Sequence, residues 1–178
     1  MIIGLVPGAM KPYHAGHHYL VEKALKECDK VFIITTTKSR GCIDGQKMQK
    51  AWRSLIQPCL GTQTSINFAI SPIRFVYEMI EEEDKNPSGN IYRIYGGTED
   101  LNRFEITKLK SKYPNASKVF INVAQNFTDQ YSRGVGASPL AKGKWVRNSI
   151  QEGKFTTFKN YLPEILKKNA KAYWNILI

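Results

Sequence analysis

The chain is 178 residues long, 42% hydrophobic and 23% charged, long enough to bury a core without cross-links and too apolar to be a disordered chain. Its 26 Lys and Arg against 15 Asp and Glu leave a formal charge of +11, which favours anionic partners (nucleic acid, an anionic surface or phosphorylated small molecules) without choosing among them. No run of about 18 apolar residues occurs. The start "MIIGLVPGAM" lacks a basic lead-in, and Cys28, Cys42 and Cys59 show no pairing or metal spacing; a reduced, cytoplasmic protein with no membrane span is the expectation.

Met1 to Val6 is a nearly continuous apolar run ended by Pro7 and Gly8, which predicts a strand buried on both faces. Ala15 to Cys28 places Leu20, Val21, Ala24, Leu25 and Cys28 at helical spacing with charged residues opposite. "KVFIITT" (Lys30 to Thr36) completes a βαβ unit. After the basic loop "TKSRGCIDG", the segment "QKMQKAWRSLIQPCL" reads as a helix closed by Pro58. "SINFAIS" is a third strand, and a surface helix then starts at Pro72. "NIYRIYGG" is a fourth strand, Thr98 to Tyr113 a helix with Thr98 as N-cap, and "SKVFINVA" a fifth strand. A polar loop, Gln125 to Ser138, leads to two helical segments around "WVRNSIQEG" and "YLPEILKKNAKAYWNIL". The expected fold is α/β, a single Rossmann-like doubly wound domain over residues 1–178 with a five-stranded parallel sheet and a helical C-terminus.

In such sheets ligands bind beyond the carboxyl ends of the strands where strand order reverses, first of all in the loop after strand one. That loop holds Gly8, Ala9, Lys11, His14, Gly16, His17 and His18, which include every histidine of the chain. His14 and His17, three apart at a helix start, face one side near the positive end of the helix dipole, with Lys11 beside them and glycines that let an anion approach the backbone. A phosphate site is the expectation. Zinc ligation by the histidines is disfavoured, because the nearby acid, Glu22, lies five residues past His17 and no cysteine is suitably spaced.

"GAMKPYHAGHHYL" resembles the HxGH signature of the nucleotidyltransferase superfamily, whose members include nicotinamide mononucleotide and phosphopantetheine adenylyltransferases and the glycerol-phosphate and choline-phosphate cytidylyltransferases. "YGGTEDLNRF" is similar to the segment lining the family's acceptor pocket. "RGVGASPLAKGKWVR" falls where the family carries its second signature. Arg133, Gly136 and Ser138 fit the cytidylyl form RTxGISTT, whereas Arg147 with "IQEGKFTTFKNYLP" is closer to the adenylyl form ISxTxxR, with Pro139 and Ala141 standing where threonines are expected.

The resemblance implies transfer of a nucleoside monophosphate from ATP, slightly favoured, or CTP to a small phosphorylated acceptor with release of pyrophosphate and with Mg²⁺ carried mainly on the phosphates. It implies His17 as donor to the α-phosphate, His14 toward the β-phosphate and Lys11 between acceptor and triphosphate. Gly8, Ala9, Gly16, Ser138, Lys144 and Arg147 would hold the nucleotide, and Asp100 and Arg53 the acceptor. A basic nucleic-acid-binding module is the alternative from another class, motivated by the nine Lys/Arg against two acids from Arg133 onward. The stripe from Tyr161 to Ile178 is read as a packing face, with contact between copies of the chain as its alternative.

Overall fold

The structure is a computed structural model that describes residues 1–97, 103–116, 118–123 and 141–178. Strands β1 (Ile2–Gly8), β2 (Lys30–Thr36), β3 (Thr64–Ala69), β4 (Ile91–Gly96) and β5 (Val119–Val123) form one parallel sheet in the order β3-β2-β1-β4-β5. Strand order reverses at β1, which pairs with β2 on one side and β4 on the other, so the crevice beyond Gly8 is the switch point.

The apolar run of β1 has its cause in two cores. Ile3 and Leu5 face one hydrophobic cluster and Val6 faces the other, so neither face of the strand meets water. One cluster gathers α1 (Ala15–Glu27), α2 (Gly45–Ala51), α3 (Gln57–Leu60) and the C-terminal helices α6 (Gly143–Gln151), α7 (Phe155–Asn160), α8 (Glu164–Lys167) and α9 (Ala170–Leu177). The other is covered by α4 (Pro72–Lys85) and α5 (Ile106–Lys112). Gly4 sets the depth of α1: a Cβ there would stand 3.1 Å from the Cys28 Sγ and 3.3 Å from the Ala24 Cβ.

The α/β class and the helix-covered parallel sheet agree with the sequence reading, but three boundaries move. Pro58 does not close the second helix. A π turn over Trp52–Ile56, in which the Gln57 amide reaches back to the Trp52 carbonyl, precedes it, and the helical run continues to Leu60; the wider turn accommodates a residue with no N–H to give. The helix expected from Thr98 begins at Ile106, and its first five expected positions lie outside the described residues. Arg103–Glu105 is not helical because Phe104 is drawn into the second core, its ring stacked on Tyr77 with centroids 5.7 Å apart. The C-terminal segment forms four short helices rather than two. The first ends in a Schellman motif, with Gly153 at φ 67°, its amide on the Ile150 carbonyl and the Lys154 amide on that of Ser149. Among the described residues no helix is long and apolar enough to cross a membrane.

Candidate active site

The loop between β1 and α1 is tied down from three directions. The Thr35 hydroxyl donates to the Ala9 carbonyl at 2.9 Å, the Lys11 ammonium donates to the Thr36 carbonyl at the end of β2, and the Arg147 guanidinium donates to the Lys11 carbonyl at 2.9 Å. Tyr13 anchors the loop from below. It is fully buried, its ring 4.7 Å from Trp52, while the Tyr173 hydroxyl from α9 donates to its carbonyl at 3.0 Å.

His14 is the N-cap of α1: its Nδ1 accepts the Gly16 amide at 3.0 Å. An accepting Nδ1 assigns the proton of the neutral ring to Nε2. His17 stacks on His14 with centroids 3.8 Å apart, and its Nδ1 is enclosed without a partner among the described residues. A buried N–H with no acceptor costs more than a buried lone pair, so the His17 proton also belongs on Nε2.

Both rings are neutral near pH 7. Burial first, then the Arg40 charge, pull His17 down to about 3. Burial, His17 and Arg147 hold His14 well below its ordinary value. Burial likewise lowers the Lys11 ammonium to about 8, against a partial opposing effect of Asp44.

Gly16 is small for a reason internal to the chain. A Cβ there would stand 2.8 Å from the His14 Cε1 and 3.0 Å from the Ala141 carbonyl, so the glycine lets the capping imidazole and the segment before α6 close over the helix start. The first two amides of α1 are also occupied, Ala15 by the Tyr161 carbonyl at 2.8 Å and Gly16 by His14. The sequence reading offered this helix end and the Gly16 backbone to an anion; in the structure the Ala15 and Gly16 amides already bond within the chain, and the Nε2 atoms of His14 and His17 carry the protons.

His18 has a different task. Its Nδ1 meets the Tyr13 hydroxyl at 2.7 Å in a buried contact and its Nε2 meets the exposed Glu22 at 3.2 Å, a bridge from the surface that fixes Tyr13.

Arg40 is the site residue that the sequence reading missed. It stands on a small hairpin whose Arg40 and Ile43 amides exchange bonds with each other's carbonyls, turning through Gly41 at φ 58°. Arg147 crosses this turn: a Cβ on Gly41 would lie 3.1 Å from its Cδ, and Cys42 Sγ donates to its carbonyl at 3.7 Å. Arg40 therefore sits close enough to depress both His17 and, after burial, Arg147. Neither guanidinium pairs with a carboxylate among the described residues. The available signal was the basic loop "TKSRG" after β2, with nothing to say which of its cations lies nearest the histidines.

Two arginines without a carboxylate partner among the described residues, a lysine only partly offset by Asp44 and two neutral imidazoles make an arrangement that suits an extended anion at the switch point. A family model described as the citrate lyase ligase C-terminal domain matches residues 4–85, which contain β1, the histidine loop and Arg40. Among solved structures, the chain is similar to a putative nicotinate-nucleotide adenylyltransferase from Vibrio parahaemolyticus at 13% identity and a TM-score of 0.60, over 96% of this chain and 98% of that one. The fold is that of this adenylyltransferase structure.

The same fold also appears in a bifunctional NMN adenylyltransferase/ADP ribose pyrophosphatase from Francisella tularensis (14% identity, TM-score 0.60, 98% of this chain) and in Thermotoga maritima TmcAL bound with alpha-thio ATP (13%, 0.57, 98%). The chain spans 49% and 56% of those two longer proteins. No curated protein matches it.

On this scaffold, His14, His17, Lys11 and Arg147 converge, and Gly8 and Ala9 form the floor at the end of β1. Lys144 is exposed on α6. Arg53 is set apart, its guanidinium 5.4 Å over the Phe68 ring at the β3 edge. Ser138 and Asp100 lie outside the described residues. Among the described residues no three His, Cys, Asp or Glu side chains gather as a metal-ligand set. The imidazole, ammonium and guanidinium donors at the site do not suit Mg²⁺, which takes oxygen ligands; such an ion fits here as part of a metal–nucleotide substrate.

Proposed function

We propose that residues 1–178 work as one nucleotidyltransferase domain, moving AMP in preference to CMP from the nucleoside triphosphate to a small phosphorylated acceptor. The observation that carries this reading is the convergence of His14, His17, Lys11 and Arg147 at the carboxyl end of β1, with Arg40 on the adjoining hairpin, where neither arginine pairs with a carboxylate among the described residues and Asp44 only partly offsets Lys11. The preference for adenylyl transfer draws on the adenylyltransferase names and the ATP analogue of the structural neighbours.

An acceptor phosphate oxygen, already ionised at neutral pH, attacks the α-phosphorus as the bond to the bridging oxygen breaks, and pyrophosphate leaves with that electron pair. No strong base is required. The chain supplies orientation and charge. The Nε2–H of His17 donates to the α-phosphate oxygens and that of His14 to the β-phosphate. Lys11 spans acceptor and triphosphate, and Arg147 and Arg40, with Lys142 and Lys144 on the loop side, hold the β- and γ-phosphates. Asp100 and Arg53 stay as acceptor candidates. Mg²⁺ enters on the triphosphate and adds charge neutralisation there.

The test is pyrophosphate release from ATP and from CTP across a panel of phosphorylated acceptors, including the mononucleotides named for the structural neighbours. Release with ATP and one acceptor is the expected result, and turnover at least tenfold faster with CTP reverses the base preference. No release with any pair, together with tight RNA or DNA binding at physiological salt, favours the nucleic-acid module. The C-terminal lysines give that module little support. Lys154 and Lys167 pair with Glu152 at 2.6 Å and Glu164 at 3.1 Å, and Lys171 lies over the Phe155 ring.

The pH profile offers a second check. The free protein's Lys11 loses its charge as pH rises through about 8, so kcat/KM is expected to fall above that pH. Neither His14 nor His17 titrates between pH 6 and 8, since both are held neutral far below that window. Lys11→Arg, which stays charged, should abolish the alkaline limb. An alkaline limb still centred near 8 in Lys11→Arg would assign it to another group.

A further inference from the structure

Trp145 stands out among the described aromatic residues. The chain's other tryptophans, Trp52 and Trp174, are buried, whereas Trp145 is 38% exposed at the start of α6. Its surroundings connect it to the site. The Lys142 ammonium lies 5.2 Å over its ring. The Tyr161 ring stands 6.3 Å away at 36°, and the Tyr161 carbonyl holds the first amide of α1. One turn before Trp145, the Ala141 carbonyl faces Gly16, and two residues after it Arg147 reaches the Lys11 carbonyl. The same short segment thus carries an arginine on the phosphate side and an accessible indole on the flank where α1 begins.

We propose that Trp145, backed by Tyr161, is the stacking wall for the base of the bound nucleoside triphosphate. The inference rests on the nucleotidyltransferase reading and adds to it a residue that reads the base. An indole face is hydrophobic, planar and rich in π electrons, which is what a base stacks on, and a two-ring purine covers more of it than a one-ring pyrimidine. Lys142 keeps that face covered in the empty protein through a cation–π contact. With nucleotide bound, the base replaces the ammonium, which is then available to the phosphates. Trp145 thereby contributes to the preference for ATP over CTP.

The experiment measures binding of ATP, CTP and inorganic tripolyphosphate, which has the phosphates but no base, to the full chain and to Trp145→Ala and Trp145→Phe. Trp145→Ala is expected to weaken ATP about tenfold, weaken CTP less and leave tripolyphosphate unchanged, with melting temperature and circular dichroism preserved because the side chain is exposed. Trp145→Phe should keep most of the ATP affinity and lose the tryptophan fluorescence change that ATP produces in the wild type. Unchanged ATP affinity in Trp145→Ala, or equal losses for ATP and tripolyphosphate, overturns the stacking role while leaving the nucleotidyltransferase reading in place. If the wild type binds none of the three, that reading fails and the stacking role falls with it. Loss of RNA binding in Trp145→Ala with ATP binding intact assigns the aromatic surface to nucleic acid instead.

Discussion

Alanine at His17 is expected to lower turnover by about 10² to 10³, roughly 3 to 4 kcal/mol of transition-state stabilisation, while the protein stays folded. His17 is the more discriminating of the two motif histidines because its work is separable from the fold. His14 caps α1 through its Nδ1, so His14→Ala removes a cap worth about 1 kcal/mol along with any phosphate contact. His17 makes no hydrogen bond through Nδ1 among the described residues; its losses are the stacking contacts with His14 and Tyr13 and the Nε2–H donor. Because the ring is neutral, with a pKa of about 3, it acts as a hydrogen-bond donor whose bond strengthens as negative charge gathers on the α-phosphate oxygens. The measurement is single-turnover pyrophosphate release, with ATP affinity and circular dichroism followed alongside. Equal rates in wild type and His17→Ala would remove His17 from the reaction.

Arg147→Ala is expected to weaken ATP binding about 10- to 100-fold, the range of one or two charge-assisted hydrogen bonds. The same change should slow pyrophosphate departure, because the side chain has two duties. It donates to the Lys11 carbonyl, 136 residues away in sequence, and it packs across Gly41, so it joins α6 to both the histidine loop and the hairpin that carries Arg40. Its removal frees the Lys11 carbonyl and loosens Arg40 together with the lost guanidinium. Arg147→Lys should rescue little, since an ammonium cannot reproduce the planar fork. The comparison is the triple change of Lys167, Lys168 and Lys171 to alanine, which should leave ATP affinity within about twofold, as surface changes usually lie within ±0.5 kcal/mol. Untouched ATP affinity in Arg147→Ala, with RNA or DNA binding abolished by the triple change, would turn the C-terminal segment over to nucleic acid.

Much of the scaffold was readable along the chain because its causes are local. The alternation of apolar runs with amphipathic segments sets the βα order, Ser71 and Pro72 start α4 where an N-cap and an N1 proline should, and the HxGH spacing puts two imidazoles on one turn of helix. The misses have non-local causes. Phe104 leaves the expected helix because a core under Tyr77 receives it, and Pro58 stays inside a helical run because a π turn makes room for it. Beside these, Gly16, expected to let an anion approach the backbone, has its own structural reason in His14 and Ala141, the latter far along the chain.

By itself, then, the sequence determined an α/β chain with its histidines in the loop after the first strand, since hydrophobic period and motif spacing act over a few residues. Only the tertiary structure decided which groups share the site and in what state of charge. Arg40 joins it through a hairpin held under Arg147, and Tyr13 is fixed by Tyr173 from 160 residues away. The histidines are neutral because burial and facing cations, which no local pattern records, penalise the protonated ring.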